Sequence, residues 1–239
     1  MSAEGEDKQS LTHVTISVVM PVLNEEKSLR KTLTALKISA NEELIVVDGG
    51  STDATVALAH EFTEKVFVTR KGRGHQMNHG AGKAGGDLLL FLHADCLLPP
   101  RGFDLIREAL SDRRVAAGAF DLRIDHPGRH FRLIGAVANL RSRFTSIPYG
   151  DQGLFVRASL FRELGGFADL PLMEDIEISR RLKKTGRVIF LRQPVLTSPR
   201  RWLKEGPVYT TLRDWTIALA YRFLNVSPHR LINYYKDVR

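Results

Sequence analysis

Cysteine is almost absent: Cys96 stands alone in 239 residues, so neither an internal disulfide framework nor a thiolate zinc cluster can be built. That scarcity fits a reducing cytosol, and a cytoplasmic protein is expected. No run of about 18 apolar residues occurs, which leaves nothing able to span a bilayer as a single helix. Nor does a basic start followed by an apolar run open the chain, so no secretory leader is expected. Residues 1–12, beginning MSAEGEDKQS, read instead as a disordered polar tail. Two nucleotide motifs are missing as well. There is no GxxxxGK[ST] loop, and no strand runs into GxGxxG, which excludes P-loop and dinucleotide modes of phosphate binding. Without a linker rich in Pro, Gly or Ser, residues 13–239 read as one domain.

The rest of the composition, 43% hydrophobic and 26% charged, is that of an ordinary globular protein. The net charge of +8 is unevenly placed, since the acids and bases nearly balance up to residue 120 and the bases dominate beyond it. A basic second half suits a phosphate, an anionic lipid or a nucleic acid, although solvated helix faces produce the same excess.

Along the chain, Val14–Leu23 is a β-branched strand and Asn24 an N-cap for a helix carrying Leu29, Leu33 and Leu36. Glu43–Val47 is a second buried strand ending at Asp48. Helix 54–62, strand 65–69 and helix 74–84 then lead to the apolar run DLLLFLHADC (Asp87 to Cys96), read as the central strand. Strands and helices alternating over about 80 residues imply an α/β fold with a doubly wound, mostly parallel sheet. Beyond Pro100 the pattern loosens. Helices are expected over 103–110, 131–144, 174–184 (stopped by a left-handed Gly186) and 208–224, with strands over 115–124, 154–157 and 188–191.

Two of these strands end in acids, Asp48 and Asp95. In an open α/β sheet, ligands bind beyond the carboxyl ends of the strands, so both carboxylates are expected at one crevice. Asp48 beside Gly49 and Gly50 suits the N–H edge of a base or a ribose hydroxyl, and Asp95 a hard divalent cation bridging phosphates. A further pair, Glu174 and Asp175, opens a helix. Acids there stabilise a helix start, and a carboxylate so placed also suits a general base.

Pro21, Asn24-Glu25, Asp48-Gly-Gly-Ser-Thr-Asp53, the acid-ended strand and Glu174-Asp175 together resemble family 2 glycosyltransferases of the GT-A fold, over residues 14–195. The closer likeness is to the bacterial radical-SAM/selenodomain-associated transferase group, through GRGHQMNHGA, LLLFLHAD, YGDQGLFVR, LMEDIEISRRL and SPRRW. The resemblance implies an inverting transfer from a nucleotide-diphosphate sugar, UDP first, to a hydroxyl acceptor, with Mn2+ or Mg2+ as cofactor. It implies that residues 13–100 form a nucleotide-binding half and 101–239 an acceptor-side half. Pro21, Asn24, Glu25, Asp48, Ser51, Asp53, Arg73, Gln76, Asn78 and Ala94 fall at nucleotide contacts, and Asp95 at the metal. Asp175 falls at the base, with Glu174 beside it. The usual paired acid is here His93, read as a water-bridged group near the metal, a ribose contact or a histidine packed at the strand end.

Asp151 and Gln152 are expected to floor an acceptor pocket. Arg180, Arg181, Arg200, Arg201 and Trp202 are candidates for acceptor or diphosphate contacts. Residues 129–143 and 210–222 are amphipathic and basic, which fits a core-facing helix with solvated arginines or peripheral contact with an anionic membrane at its inner face. A lipid-linked acceptor would favour the latter. Two other functions compete. A nucleotidyltransferase needs a basic loop where Glu25 and Glu26 stand. A non-catalytic nucleotide-sugar or nucleic-acid binding module draws on the basic half, but no aromatic-interleaved platform or recognition helix is present, so no nucleic-acid partner is expected.

Overall fold

The computed structural model describes residues 13–235, so the tail assigned to residues 1–12 lies outside it. The first part alternates as the sequence predicts: β1 (Ile16–Val22), α1 (Glu26–Leu36), β2 (Glu42–Asp48), α2 (Thr55–His60), β3 (Val66–Val68), α3 (Arg73–Lys83) and β4 (Leu88–Phe91). There follow β5 (Cys96–Leu97), α4 (Gly102–Ser111), β6 (Val115–Ile124), α5 (Arg129–Thr145) and a 3-10 turn (Gly150–Gln152). The remainder is β7 (Leu154–Arg157), α6 (Ala158–Glu163), α7 (Glu174–Thr185), β8 (Arg187–Thr197), α8 (Arg200–Glu205), α9 (Pro207–Phe223) and α10 (Pro228–Leu231).

One eight-stranded sheet runs β3-β2-β1-β4-β7-β6-β8-β5. Strands β1 to β4 pair in parallel, whereas β7 is antiparallel to both its neighbours, and β8 lies parallel to β6 and antiparallel to β5. The parallel winding therefore belongs to the first half. Every residue of β1 is buried, as expected of a strand covered on both faces. Ile16, Val18 and Met20 pack with Leu29, Leu33 and Leu36 of α1 on one side, and Val19 meets Met77 and Ala81 of α3 on the other. Truncating a fully enclosed leucine such as Leu29 to alanine would cost about 2–5 kcal/mol.

Three local readings need correction. Asn24 is not the N-cap. Its backbone is left-handed (φ 52°), Glu25 precedes the first helical residue, and the Asn24 side chain instead accepts the Thr52 N–H at 2.9 Å. Gly186 is extended (φ 167°) rather than left-handed, and it is required because a Cβ there would come within 2.8 Å of the Arg114 carbonyl. The run from Asp87 to Cys96 is not one strand. After Phe91 the chain turns through His93, Ala94 and Asp95, closed by the Cys96 N–H on the His93 carbonyl, before β5 joins β8. That turn carries Asp95 into the space beyond the sheet.

Candidate active site

A cavity of about 560 Å³ opens at the carboxyl ends of β1 and β4. Its floor is Pro21, Ala94 and Asp95, and its far wall the Gly150–Gln152 turn and Asp175. The segment after β8, Thr197 to Trp202, and the inner faces of α5 and α9 close the remaining sides. Asp95 and Asp175, eighty positions apart in the chain, thus face one enclosed volume.

Asp95 is held from the C-terminal side. The Arg200 guanidinium grips both oxygens of Glu25, at 2.5 and 2.6 Å, and reaches Asp95 Oδ2 at 3.2 Å. Burial pushes the Asp95 carboxyl upward; Arg200 opposes this and the Glu25 charge adds to it. Burial also disfavours the Arg200 charge, but Glu25 and Asp95 outweigh it and hold the guanidinium above its usual value. His93, Asp95 and Cys96 bring ligand atoms within 4.8 Å of one another. Burial, reinforced by the charges of Asp95 and Asp151, raises the Cys96 thiol well above its usual range, and its Sγ is turned to the Asp151 carbonyl and the Thr197 hydroxyl. An imidazole and a carboxylate remain. That pair fits a divalent cation whose other ligands are phosphate and water, and suits Mn2+ better than all-oxygen Mg2+.

Asp175 is oriented by main-chain donors, Gly150 N–H to Oδ2 at 2.9 Å and Ile176 N–H to Oδ1 at 2.8 Å. Gly150 is wedged between His93 and Asp175. A Cβ there would stand 3.0 Å from the His93 ring and 3.8 Å from Asp175 Oδ2, so only glycine lets these walls meet. Met173, in the left-handed region (φ 70°), swings the chain so that Asp175 turns to the cavity. Glu174 turns inward and pairs with Arg73 Nε at 3.0 Å. Burial raises the Glu174 carboxyl, with Arg73 opposing and Asp175 adding. Asp151 also lines the cavity, its carboxyl raised by burial against the pull of Arg201 and Arg141.

Of the expected nucleotide contacts, Pro21, Glu25, Arg73, Gln76 and Ala94 line the cavity; Asn24, Asp48, Ser51, Asp53 and Asn78 do not. Asp48 is buried, with Oδ2 taking the N–H groups of Gly50 and Ser51 at 2.8 Å each and Oδ1 the Ser51 hydroxyl. These bonds shape the turn that follows β2. Asp53 accepts the Thr55 N–H at 3.0 Å just ahead of α2, and Asn78 clasps the Phe167 backbone in both directions at 2.8 Å. Gln76 lines the cavity yet donates to the carbonyls of Val22 and Val47, tying β1 to β2.

On the acceptor side, Arg200, Arg201, Trp202, Asp151 and Gln152 line the cavity, whereas Arg180 and Arg181 do not. Arg181 is tied to Glu177 and to the carbonyls of Leu164 and Gly166, and Arg180 lies over the Tyr221 ring at 5.0 Å. Gln152 is a strut: its amide joins the Ser142 hydroxyl, the Tyr149 N–H and the Phe120 carbonyl. Arg201 is paired with Asp214 and the Tyr235 hydroxyl. Trp202 is buried against Ile124 and Phe131, with its indole N–H unpartnered at the cavity wall.

Arg141 was not anticipated. Its guanidinium stacks on Tyr149, 3.5 Å from the ring centroid, and it lines the cavity beside Ile134 and Ala138. The spacing of 134, 138 and 141 marks one helix face and would have singled it out among the arginines of α5.

Residues 17–165 match the family model for glycosyl transferase family 2. The probable glycosyltransferase YdaM of Bacillus subtilis is 27% identical over 206 residues, 72% of this chain and 47% of that protein. Undecaprenyl-phosphate 4-deoxy-4-formamido-L-arabinose transferase of Sodalis glossinidius is 31% identical over 159 residues, 60% of this chain and 48% of the other. The chain spans about half the length of these two curated relatives. Glucosyl-3-phosphoglycerate synthase from Mycobacterium tuberculosis, solved with Mn2+ and uridine-diphosphate-glucose, superposes with a TM-score of 0.61 at 21% identity. That match covers 93% of this chain and 83% of that one.

Proposed function

This chain belongs to glycosyl transferase family 2 and has the GT-A fold, and from that premise we propose that it moves a sugar, with inversion, from a UDP-sugar to a hydroxyl acceptor. The observation that carries the reading is the cavity that Asp95 and Asp175 share, with Gly150 packed between His93 and Asp175 on its wall. Asp175, held by two N–H donors, accepts the proton of the acceptor hydroxyl as its oxygen bonds to the anomeric carbon. The bond from that carbon to the diphosphate oxygen breaks on the opposite face. Arg200 and the unpartnered N–H of Trp202 stand where they can meet the charge growing on the leaving diphosphate. Asp95, with His93 beside it, would hold a divalent cation, Mn2+ by preference, which when bound neutralises diphosphate charge. Asp48 acts through the loop it shapes, and the base rests between Pro21 and the Gly72–Arg73 turn.

Within the family we assign the chain to the radical-SAM/selenodomain-associated group, on the five motifs named above. The acceptor in this reading is lipid-linked and the protein peripheral at the inner face of a membrane; the undecaprenyl-phosphate named for the Sodalis relative supports it. Titration calorimetry with UDP and GDP, with and without Mn2+, tests the donor side. Metal-dependent UDP binding is expected, and absence of binding by either nucleotide under both conditions overturns the proposal.

A further inference from the structure

Helices α5 and α9 each face two ways. Their inner faces line the cavity with Ile134, Ala138 and Arg141 from α5 and Asp214 and Ile217 from α9. Their outer faces are apolar and exposed. On α5, Leu133, Leu140 and Phe144 fall within an arc of about 40° at about 100° per residue, with Phe144 90% exposed. On α9, Val208, Leu212, Leu219 and Phe223 fall within about 60° of one another, with Phe223 67% exposed. The two helices touch, so the stripes belong to one side of the molecule. Exposed apolar surface on this scale marks a place of contact.

The charges around the stripes say what kind. No acid occurs between Asp125 and Asp151, while Arg129 and Arg132 are exposed on α5 next to its stripe. In 200–235 the acids are Glu205 and Asp214, both tied to Arg213, and Asp214 also to Arg201. Lys204 and Arg230 are exposed. An apolar face rimmed by bases and without free acids complements an anionic lipid surface, with arginine stems lying along the acyl boundary and their heads among the phosphates. No helix among the described residues is long and apolar enough to cross a membrane, so the contact is one of lying on it.

We infer that the outer faces of α5 and α9 seat this protein on an anionic bilayer, which brings the cavity wall within about one helix diameter, roughly 10 Å, of the lipid headgroups. The inference deepens the acceptor side of the proposed function. It rests on that reading only for the identity of the acceptor; the docking itself is read from binding, not from sugar transfer.

The test is flotation of the purified full chain with vesicles of phosphatidylcholine alone or containing phosphatidylglycerol, at physiological salt. The chain is expected to float with the phosphatidylglycerol vesicles and to be released by high salt. Leu212→Glu with Phe223→Glu should lower the bound fraction roughly tenfold, as should Leu140→Glu with Phe144→Glu, with UDP binding and thermal melting unchanged. Arg129→Glu with Arg132→Glu, which leaves the apolar stripes intact, should weaken binding to anionic vesicles selectively. Failure of the wild-type chain to float overturns the inference, even where UDP still binds. So does a dimer in solution that the α9 variant splits, since a second copy would then be what covers the face.

Discussion

The two halves of this molecule use polar side chains in opposite ways. Up to β4, they are fastened to nearby main chain: Asp48 to Gly50 and Ser51, Asn24 to Thr52, Gln76 to Val22 and Val47. After β4, the polar groups that line the cavity sit on turns and helix starts and are joined across long stretches of chain. Arg200 meets Glu25 and Asp95, Gly150 meets Asp175, and Arg141 stacks on Tyr149. The first half is thus a preformed cradle whose acids and amides stiffen it, and the second supplies groups, held across the chain, that face what the cradle holds. Pre-positioned charge at the site of reaction is what such a division provides.

Substitutions in each half sharpen that contrast. The largest effect is expected from Asp175→Asn, which keeps the shape and one of the two main-chain contacts, since its amide nitrogen accepts nothing, and removes the base. Sugar-transfer turnover should fall by about 10³-fold with an unchanged melting curve, and near-wild-type turnover would remove Asp175 from the chemistry. Next comes Asp95→Ala, expected to reduce turnover by about 10²-fold and to abolish the Mn2+ dependence of UDP binding while UDP alone binds as before. Calorimetry showing the same metal response in the variant would break the assignment. In the cradle the cost should be structural. Gln76→Leu removes the side-chain donor shared by the Val22 and Val47 carbonyls, of which Val22 keeps the Gly49 N–H, and should lower unfolding free energy by about 1 kcal/mol in a urea titration. The smallest effect lies far from the cavity. Arg114, through its hydrogen bonds, lowers the exposed Asp112 carboxyl to about 2. A depressed carboxylate stabilises the fold above its ordinary value of 3.8 and loses that contribution as pH falls towards 2. Asp112→Asn should therefore slightly flatten the decline in melting temperature over that window, and an unchanged acid limb would show the pair to be fully screened by solvent.

The cradle was readable in the sequence because its elements repeat on short periods. Leu29, Leu33 and Leu36 mark a helix face, and the apolar tract of β1 marks a strand covered on both sides. Of the two strand-end acids expected at one crevice, Asp95 lines the cavity and Asp48 does not, while Asp175, at a helix start, does. Which polar groups face a ligand was not readable. Asn78 and Gln76 lie two positions apart on α3, and nothing local tells that one clasps Phe167 and the other ties two strands together. Helical rotation explains Arg180 and Arg181: five and six residues after Asp175, they project about 140° and 120° away from it. Strand β8 was underestimated because Arg192 and Pro194 interrupt its pattern; a register shift opposite Phe120 and Asp121 accommodates them.

The ion pair between Arg200 and Glu25 joins positions 175 residues apart. A ribosome releasing this chain from its N-terminus therefore exposes the cradle long before the residue that fastens it to Asp95 is made. The site is complete only once Arg200 has been made, and a chain broken off before it would lack the wall that closes the cavity.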